Sequence, residues 1–325
     1  MKTFDTETLP ATLEQYLGDM GWLQSGETVE ALSKAGEGNM NVVVRVTTDQ
    51  RSFILKQSRP YVQKYPQIPA PLDRIRVEHR FYQAVRGAGI DRHLPRILGF
   101  DPENSLMLQE DLGHARDMSY LYETRELEPE TLRLLTEVLV RIHATPVPED
   151  FPANLELRGL NHQHIFVLPF DADNGFDLDS VQAGLAQLAL PFKTDKALKS
   201  RIEAVGKRYL SEGNVLLHGD YYPGSWLRAR GGTYIIDPEF CFAGFPEYDL
   251  GVMAGHLLMA SMDTVIVDEI FKHYPRPFDR GLVRQMAGIE ILRRLIGLAQ
   301  LPLKRSLDEK RQLITLAKNM ILDEA

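Results

Sequence analysis

The sequence has one cysteine among its 325 residues, no long apolar run and no excess of basic residues. Cys241 cannot form an internal disulfide, which is consistent with a reducing cytoplasm, and its position between two phenylalanines predicts a small buried thiol. No apolar run reaches the roughly 18 to 20 residues that span a bilayer. The N-terminus lacks the apolar core of a signal peptide, so we expect a mature start, a cytoplasmic location and no membrane partner.

The formal net charge of −8 argues against nucleic acid as a partner, because affinity for the phosphate backbone depends on clustered Lys and Arg. A local basic site for a phosphorylated small molecule is still compatible with this charge. The 44% hydrophobic and 25% charged residues are the ordinary balance of a globular protein. The length predicts one two-lobed unit or two domains.

Acidic residues follow predicted strands in the stretch from Val215 to Asp249. HGD, ending at Asp220, comes after the apolar VLL, and DPE, which contains Asp237 and Glu239, comes after a second short strand. Carboxylate oxygens suit Mg²⁺, and a separate aspartate can accept a proton from a hydroxyl. The stretch alone is compatible with any metal-assisted reaction.

The N-terminal part contains a cluster of Gly and Asn, GEGNMN, at residues 36–41 between predicted strands 29–34 and 42–46. Such a segment is either a hairpin turn or a loop whose backbone N–H groups approach a phosphate. Lys56, inside the apolar strand predicted at 52–57, is either an edge-strand lysine or a phosphate ligand. Glu78, on a helix predicted at 72–85, is either a solvated carboxylate or the partner of Lys56.

Together these motifs resemble the aminoglycoside phosphotransferase and choline kinase superfamily. HGDYYPGS, DPEF, GEGNMN and KQSRPYV are most similar to the 5-methylthioribose kinase branch. Ser225 occupies the position at which most members of the superfamily have a metal-binding Asn, and the 5-methylthioribose kinase branch also has Ser there. That branch likewise has a motif like DPE in place of the acidic motif that is usual in the superfamily. Tyr222 departs from this branch, whose members usually have a second histidine at the same position. The chain is also shorter than typical members, chiefly between the hinge and the catalytic loop.

The resemblance implies an α+β, two-lobed, protein-kinase-like fold. Its N-terminal lobe, residues 1–111, has an antiparallel sheet with one main helix and binds the nucleotide. Residues 112–325 form a mostly helical lobe with the catalytic loop, the metal motif and the substrate site. The implied ligands are ATP and Mg²⁺.

The resemblance also assigns roles to individual residues. Asp220 is the implied catalytic base. The implied nucleotide site comprises Gly36, Gly38, Asn39, Asn41, Lys56, Glu78, Gln109 and Glu110. The implied metal ligands are Asp237, Glu239 and Ser225, and the implied substrate residues are Arg293, Arg294 and Tyr222.

The adjacent arginines Arg293 and Arg294 lie on an otherwise apolar predicted helix. Pairing with Glu290, at positions i+3 and i+4, is one explanation. Substrate binding is the other, and it is favoured because the branch has a similar segment lining its sugar site.

The remaining pattern predicts further elements in chain order. These are a helix at 9–21, an irregular proline-rich loop at 60–71, a helix at 129–143, loop-rich residues at 145–175, helices at 178–190 and 194–210, and mostly helix after Asp249.

These inferences predict a kinase that transfers the γ-phosphoryl group of ATP to a hydroxyl of a small molecule, such as the sugar 5-methylthioribose. Choline, homoserine or an aminoglycoside is the alternative acceptor, and a catalytically inactive kinase-like binding protein is the alternative of another class. The oligomeric state stays open, with a homodimer as one candidate.

Overall fold

The structure is a computed structural model that describes residues 1–36 and 39–323. Contacts divide the chain into two compact units. Unit 1 combines Met1–Arg116 with Arg228–Phe240, and unit 2 combines Asp117–Leu227 with Cys241–Ala325. The segment with the DPE motif, placed in the C-terminal lobe by the family resemblance, therefore groups with the N-terminal residues.

Most strands lie before residue 118, and most α-helices lie after it. The strands are β1 (Val29–Lys34), β2 (Val42–Thr48), β3 (Ser52–Gln57), β4 (Tyr61–Val62), β5 (Tyr65–Pro69), β6 (Ile97–Asp101), β7 (Leu106–Glu110), β8 (Arg116–Asp117), β9 (Val215–Leu217), β10 (Trp226–Ala229), β11 (Gly232–Ile235) and β12 (Phe242–Gly244). The α-helices are α1 (Pro10–Asp19), α2 (Arg74–Ala84), α3 (Leu121–Thr124), α4 (Pro129–Ala144), α5 (Leu155–His162), α6 (Leu185–Thr194), α7 (Lys196–Leu210), α8 (Glu247–Ser261), α9 (Val265–His273), α10 (Arg280–Ile296) and α11 (Leu307–Leu322). In the described part of the chain, none of the helices has the length and apolar character needed to cross a bilayer.

The main sheet of unit 1 has the strand order β1-β2-β3-β7-β6, and its neighbouring strands are antiparallel. Lys56 on β3 is in register with Val43 on β2 and Met107 on β7. Phe53 and Leu55 belong to an apolar core that also contains residues of α1. Because side chains alternate along a strand, Lys56 lies on the opposite face from this core.

Helix α2 has both apolar and charged residues on its buried side. Ile75 and Phe81 are buried as expected, but Arg74 and Glu78 are also fully buried. Residues four positions apart lie on the same face of a helix. Arg74 and Glu78 therefore present opposite charges side by side to the rest of unit 1.

The proline-rich segment after β3 differs from the irregular loop predicted there. It contains the paired strands β4 and β5, with Tyr61 opposite Pro69 and Val62 opposite Tyr65. A two-stranded ribbon leaves the outer backbone groups of each strand unpaired, so a proline without an N–H can be tolerated.

Two predictions for unit 2 were wrong. Residues 145–175, predicted to be loop-rich, include α5, followed by a π-helical turn at Gln163–Val167. Helix α5 has only eight residues and depends on tertiary contacts, such as the bonds from Arg158 to the carbonyl oxygens of Tyr209 and Ser211. The helix predicted to begin at residue 178 begins at Leu185, because Gly184 adopts a left-handed conformation with a φ of 83°.

Helices α8 and α10 pack closely in the core of unit 2. Residues Glu247–Ala260 of α8 are all buried, so this helix is enclosed on every side. A Cβ added to Gly251 would lie 2.4 Å from the Cβ of Met286, and one added to Gly255 would lie 2.8 Å from the carbonyl oxygen of Ala287. Both glycines permit the close approach of the two helices.

We expect Gly251→Ala to lower the free energy of unfolding by about 1–3 kcal/mol, because the added methyl group overlaps Met286. Urea denaturation measures this change. Gly159→Ala on α5 is the matched control, since its Cβ would meet open space among the described residues. Alanine's higher helix propensity should leave that variant unchanged or more stable by up to about 1 kcal/mol. Equal stability of Gly251→Ala and the wild type would contradict the packing argument.

Candidate active site

A buried lysine in unit 1 bonds to two carboxylates. The Nζ of Lys56 lies 2.6 Å from Oε2 of Glu78 and 2.6 Å from Oδ1 of Asp237. Burial alone would lower the pKa of Lys56, but Asp237 and Glu78 outweigh that effect and raise it. The lysine is therefore a fixed positive charge at neutral pH. Burial raises the pKa of Glu78, whereas Lys56 opposes that rise.

The DPE motif presents its two carboxylates differently. The side chain of Asp237 is 46% exposed, and its backbone has a φ of 61°, an uncommon conformation for a residue other than glycine. Glu239 is buried, and its Oε2 accepts a hydrogen bond of 2.9 Å from Nδ2 of Asn41. The Nε of Arg74 lies 3.5 Å from the same oxygen. Burial raises the pKa of Glu239, against the opposing effects of Lys56 and Arg74.

Asp237 and Glu239 fit the chemistry of a Mg²⁺ site, because both offer the hard oxygen donors that Mg²⁺ prefers. Within residues 1–36 and 39–323, no group of three or more His, Cys, Asp or Glu side chains is arranged to hold a metal ion. Two carboxylates alone leave coordination positions to phosphate oxygens and water, which is the usual arrangement for Mg²⁺. Ser225, the third metal ligand implied by the resemblance, is a buried residue of unit 2.

The loop before β2 is only partly connected to this network. Asn41 is buried against Glu239, whereas Gly36 and Asn39 are exposed. Gly38, also implied at the nucleotide site, lies outside the described residues. The carbonyl oxygen of Asn39 accepts a hydrogen bond of 3.0 Å from the backbone N–H of Lys64.

Gln109 and Glu110, both implied at the nucleotide site, lie at the end of β7. Gln109 is buried, and its Nε2 lies 3.3 Å from Oε1 of Glu78, so it supports the partner of Lys56. Glu110 forms an ion pair of 3.1 Å with the exposed Arg96. The side chain of Glu110 therefore pairs with a surface arginine. Contact of a nucleotide with the backbone of this residue stays a prediction.

In unit 2, Asp249 holds the loop that carries Asp220. Its carboxylate accepts hydrogen bonds from the backbone N–H groups of His218, at 2.7 Å, and Gly219, at 3.0 Å. His143 Nε2 contacts the same carboxylate at 3.1 Å. Gly219 has a φ of 86°, which favours glycine. The sequence around His143 indicates neither this support nor any other role in the site.

Glu290 gathers three nitrogen-bearing side chains near Asp220. Its oxygens lie 2.8 Å from Nε of Arg293, 2.8 Å from Nε of Arg294 and 2.8 Å from Nε2 of His256. Arg294 also lies 4.0 Å from Oδ1 of Asp220. The predicted pairing of both arginines with Glu290 is therefore present, and Arg294 additionally faces the implied catalytic base.

Tyr222 packs between two of these side chains. Its ring centroid is 5.1 Å from the guanidinium carbon of Arg294 and 4.7 Å from the ring centroid of His256. A Cβ at Gly224 would lie 2.4 Å from the tyrosine ring, so glycine is needed there for the ring to occupy this position. The aromatic ring thus helps to fix Arg294 beside Asp220.

Burial and the two arginines determine the charges of His256 and Glu290. Burial lowers the pKa of His256 to about 4, so this histidine is neutral at pH 7. Burial alone would raise the pKa of Glu290, but Arg293 and Arg294 outweigh it and lower that pKa. Sequence reasoning missed His256, which has no motif around it on α8.

We expect Glu290→Gln to lower the free energy of unfolding by about 3–5 kcal/mol, because it leaves two largely buried guanidinium groups without their carboxylate. Chemical denaturation measures the loss. The control is Glu203→Gln on α7, where loss of an exposed pair with Lys207 should leave the stability nearly unchanged. Similar losses in the two variants would show that Glu290 does not hold the cluster together.

Known proteins are similar to this chain in sequence and in fold. The methylthioribose kinase of Yersinia pseudotuberculosis serotype O:3 (strain YPIII) is 28% identical over 273 residues, which cover 80% of this chain and 66% of that protein. The methylthioribose kinase of Pectobacterium carotovorum subsp. carotovorum (strain PC1) is 30% identical over 262 residues, which cover 75% of this chain and 64% of that protein. The chain thus spans just under two thirds of the length of these relatives.

Solved structures show the same fold at low sequence identity. The AMP-bound complex of a spectinomycin phosphotransferase aligns with a TM-score of 0.57 at 16% identity, covering 94% of this chain and 97% of that chain. The choline kinase from Streptococcus pneumoniae aligns with a TM-score of 0.52 at 13% identity, covering 96% of this chain and 98% of that chain. These alignments confirm the predicted α+β, protein-kinase-like fold class.

The chain also matches a protein family over most of its length. Residues 31–284, which include the glycine-containing loop, Lys56, the HGD loop and the DPE motif, match the family described as phosphotransferase enzymes. This match covers well over half of the chain. The protein therefore belongs to the phosphotransferase enzyme family.

Proposed function

We propose that this protein is a kinase that transfers the γ-phosphoryl group of ATP to a hydroxyl of a small molecule, with sugars as the first acceptor class. The observation that carries the proposal is the buried Lys56, held by Glu78 and beside the metal-type carboxylate of Asp237. Burying a charge is costly unless that charge is paired. A lysine kept in this setting suits the neutralisation of nucleotide phosphates.

The groups of unit 1 bind the nucleotide in this proposal. Lys56 contacts the phosphates, Glu78 keeps the lysine in place, and Gly36, Asn39 and Asn41 of the loop before β2 lie over the phosphates. Asp237 and Glu239 would hold Mg²⁺, with Ser225 as the further oxygen donor implied by the family resemblance. When bound, the ion supplies positive charge to the phosphate oxygens.

The groups of unit 2 bind and activate the acceptor. Asp220, on the loop held by Asp249, orients the acceptor hydroxyl and accepts its proton as the hydroxyl oxygen attacks the γ-phosphorus and the bond from that phosphorus to the leaving ADP breaks. Arg294 and Tyr222 lie at the side of this aspartate and are the proposed acceptor contacts. Residues fixed by buried partners are suited to orient an acceptor with little reorganisation.

The charge balance of this cluster supports an uncharged polyhydroxyl acceptor. Arg293 and Arg294 carry two positive charges, Glu290 and Asp220 carry two negative charges, and His256 is neutral at pH 7. A quaternary ammonium acceptor such as choline would instead favour an aromatic or acidic cage. The similarity to methylthioribose kinases supports the same choice of a sugar.

A cytoplasmic location follows from this proposal. ATP is the phosphoryl donor, and the sequence has a single cysteine, which is buried. Both features suit a reducing compartment that contains ATP.

We expect Asp220→Asn to lower kcat by about 10²–10⁴-fold, because the amide cannot accept the hydroxyl proton. Binding of ADP, measured by calorimetry, should change by less than about twofold, since Asp220 has no nucleotide role in the proposal. Asp268→Asn on α9 is the control, because the side chain of Asp268 is 70% exposed. A full turnover rate in Asp220→Asn would exclude Asp220 as the base.

An ADP-release screen tests the acceptor class, with methylthioribose, other pentoses, choline, homoserine and an aminoglycoside as substrates. We expect turnover with at least one sugar and none with choline. Turnover with choline alone would overturn the sugar assignment. No turnover with any hydroxyl acceptor, together with no thermal shift on adding Mg²⁺ and ATP, would support the inactive binding protein instead.

A further inference from the structure

A second buried cation of unit 1, Arg74, has no role in the mechanism above. It is fully buried and precedes Glu78 by one helical turn on α2. Its guanidinium group donates to the carbonyl oxygens of Met40 at 2.8 Å, Arg59 at 2.8 Å and Pro71 at 2.7 Å. One side chain thus holds the loop before β2 and both ends of the β4–β5 segment.

The same guanidinium group also reaches the DPE motif through Asn41. Its Nε donates to Oδ1 of Asn41 at 2.8 Å and lies 3.5 Å from Oε2 of Glu239. The Nδ2 of Asn41 donates to that same oxygen of Glu239 at 2.9 Å, and Ser58 Oγ donates to Oδ1 of Asn41 at 3.0 Å. The amide of Asn41 is therefore oriented by partners on both its oxygen and its nitrogen.

This arrangement joins two parts of the proposed nucleotide site. Asn39 and Met40 belong to the loop that would cover the phosphates, and their carbonyl oxygens are held by Lys64 and Arg74. Glu239 is a proposed metal ligand. Because the guanidinium group is planar and rigid, a change at the edge that faces Glu239 is transmitted to the edge that holds the Met40 carbonyl.

We propose that Asn41 and Arg74 are positioning residues that couple divalent-cation binding at Asp237 and Glu239 to the backbone conformation of residues 39–41, which precede β2. This inference rests on the proposed function, since it assumes that the site binds a metal and a nucleoside phosphate. A bound cation would attract the carboxylate of Glu239 and weaken the contacts of that carboxylate with Asn41 and Arg74. The backbone of residues 39–41 then adjusts, because the guanidinium group of Arg74 also donates a hydrogen bond to the carbonyl oxygen of Met40.

A coupling role and a merely structural role predict different binding data. If Arg74 only stabilises the fold, its substitution weakens ADP binding by the same factor with and without Mg²⁺. If Arg74 couples the two ligands, its substitution mainly removes the part of ADP affinity that Mg²⁺ adds. Binding free energies are coupled reciprocally, so the ratio of the two dissociation constants measures the coupling directly.

The experiment is calorimetric titration of the full chain with ADP, in EDTA and in MgCl₂, each at about 5 mM so that the cation is either removed or in excess. Arg74→Lys keeps the charge but loses the planar fork. We expect it to reduce the Mg²⁺-dependent gain in ADP affinity at least about fivefold relative to the wild type, which is the lower end of usual coupling strengths.

Asn41→Ala provides a second variant that keeps the bonds from Arg74 to the backbone carbonyls. We expect the same loss of the Mg²⁺-dependent gain. Arg305→Lys in unit 2 is the matched control, because Arg305 is also a buried arginine that donates to backbone carbonyls, at Tyr122, Met259 and Ala260. It should lose stability without any change in the ratio.

The outcomes separate the two proposals. A wild-type protein that binds no ADP in either buffer contradicts the proposed function and, with it, the coupling. A wild-type protein whose ADP affinity rises with Mg²⁺, and whose gain survives in both Arg74→Lys and Asn41→Ala, overturns the coupling alone. If Arg74→Lys does not fold, the result for Asn41→Ala decides.

Discussion

The structure of unit 1 depends on the requirement that a buried lysine be paired. Lys56 lies on an interior strand of the sheet, on the face opposite the apolar core, and its ammonium group is almost entirely removed from water. Unpaired burial of such a charge would cost several kcal/mol. Glu78 from α2 and Asp237 from the DPE segment meet that requirement. One charge thus determines where a helix and a second chain segment must lie.

Unit 2 relies on buried acids in a comparable way. Asp249 orients the backbone of the HGD loop, and Glu290 orients two arginines and a histidine. Neither acid is a proposed contact of substrate or nucleotide. Both act by fixing groups that are, and each has partners on several elements. In both units, therefore, the polar groups that contact ligands in our proposal are held by buried polar groups behind them.

Much of the fold could be predicted from the sequence. Strands β1 and β3 have the predicted bounds, because apolar and β-branched residues in them are bounded by clear turn signals. Helical spacing offers the pairing of Glu290 with the two arginines as one of two explanations, although substrate binding was the favoured one. The pairing of Lys56 with Glu78 required the family resemblance, since 22 residues separate the two and nothing local connects them.

Other parts of the site could not be found in this way. Arg74 lies among Asp73, Arg76, His79 and Arg80, so its sequence surroundings are typical of a solvated helix face. Only the tertiary structure shows that its side chain is buried beneath the nucleotide loop. His143 and His256 each bond to a buried acid from a different helix, and sequence spacing carries no information about such contacts. Helix α5 was missed because its eight residues, which include Gly159, give too short a periodic pattern to stand out, and a helix this short depends on tertiary contacts.

The spacing of Arg74 and Glu78 has a consequence for how this helix can vary. Both side chains must point to the same side, and each residue added to or removed from a helix rotates all later positions by about 100°. An insertion between them would turn Glu78 away from Lys56 or Arg74 away from Asn41. The number of residues between Arg74 and Glu78 must therefore stay constant. The outward positions Arg76 and Arg80, by contrast, are open to substitution.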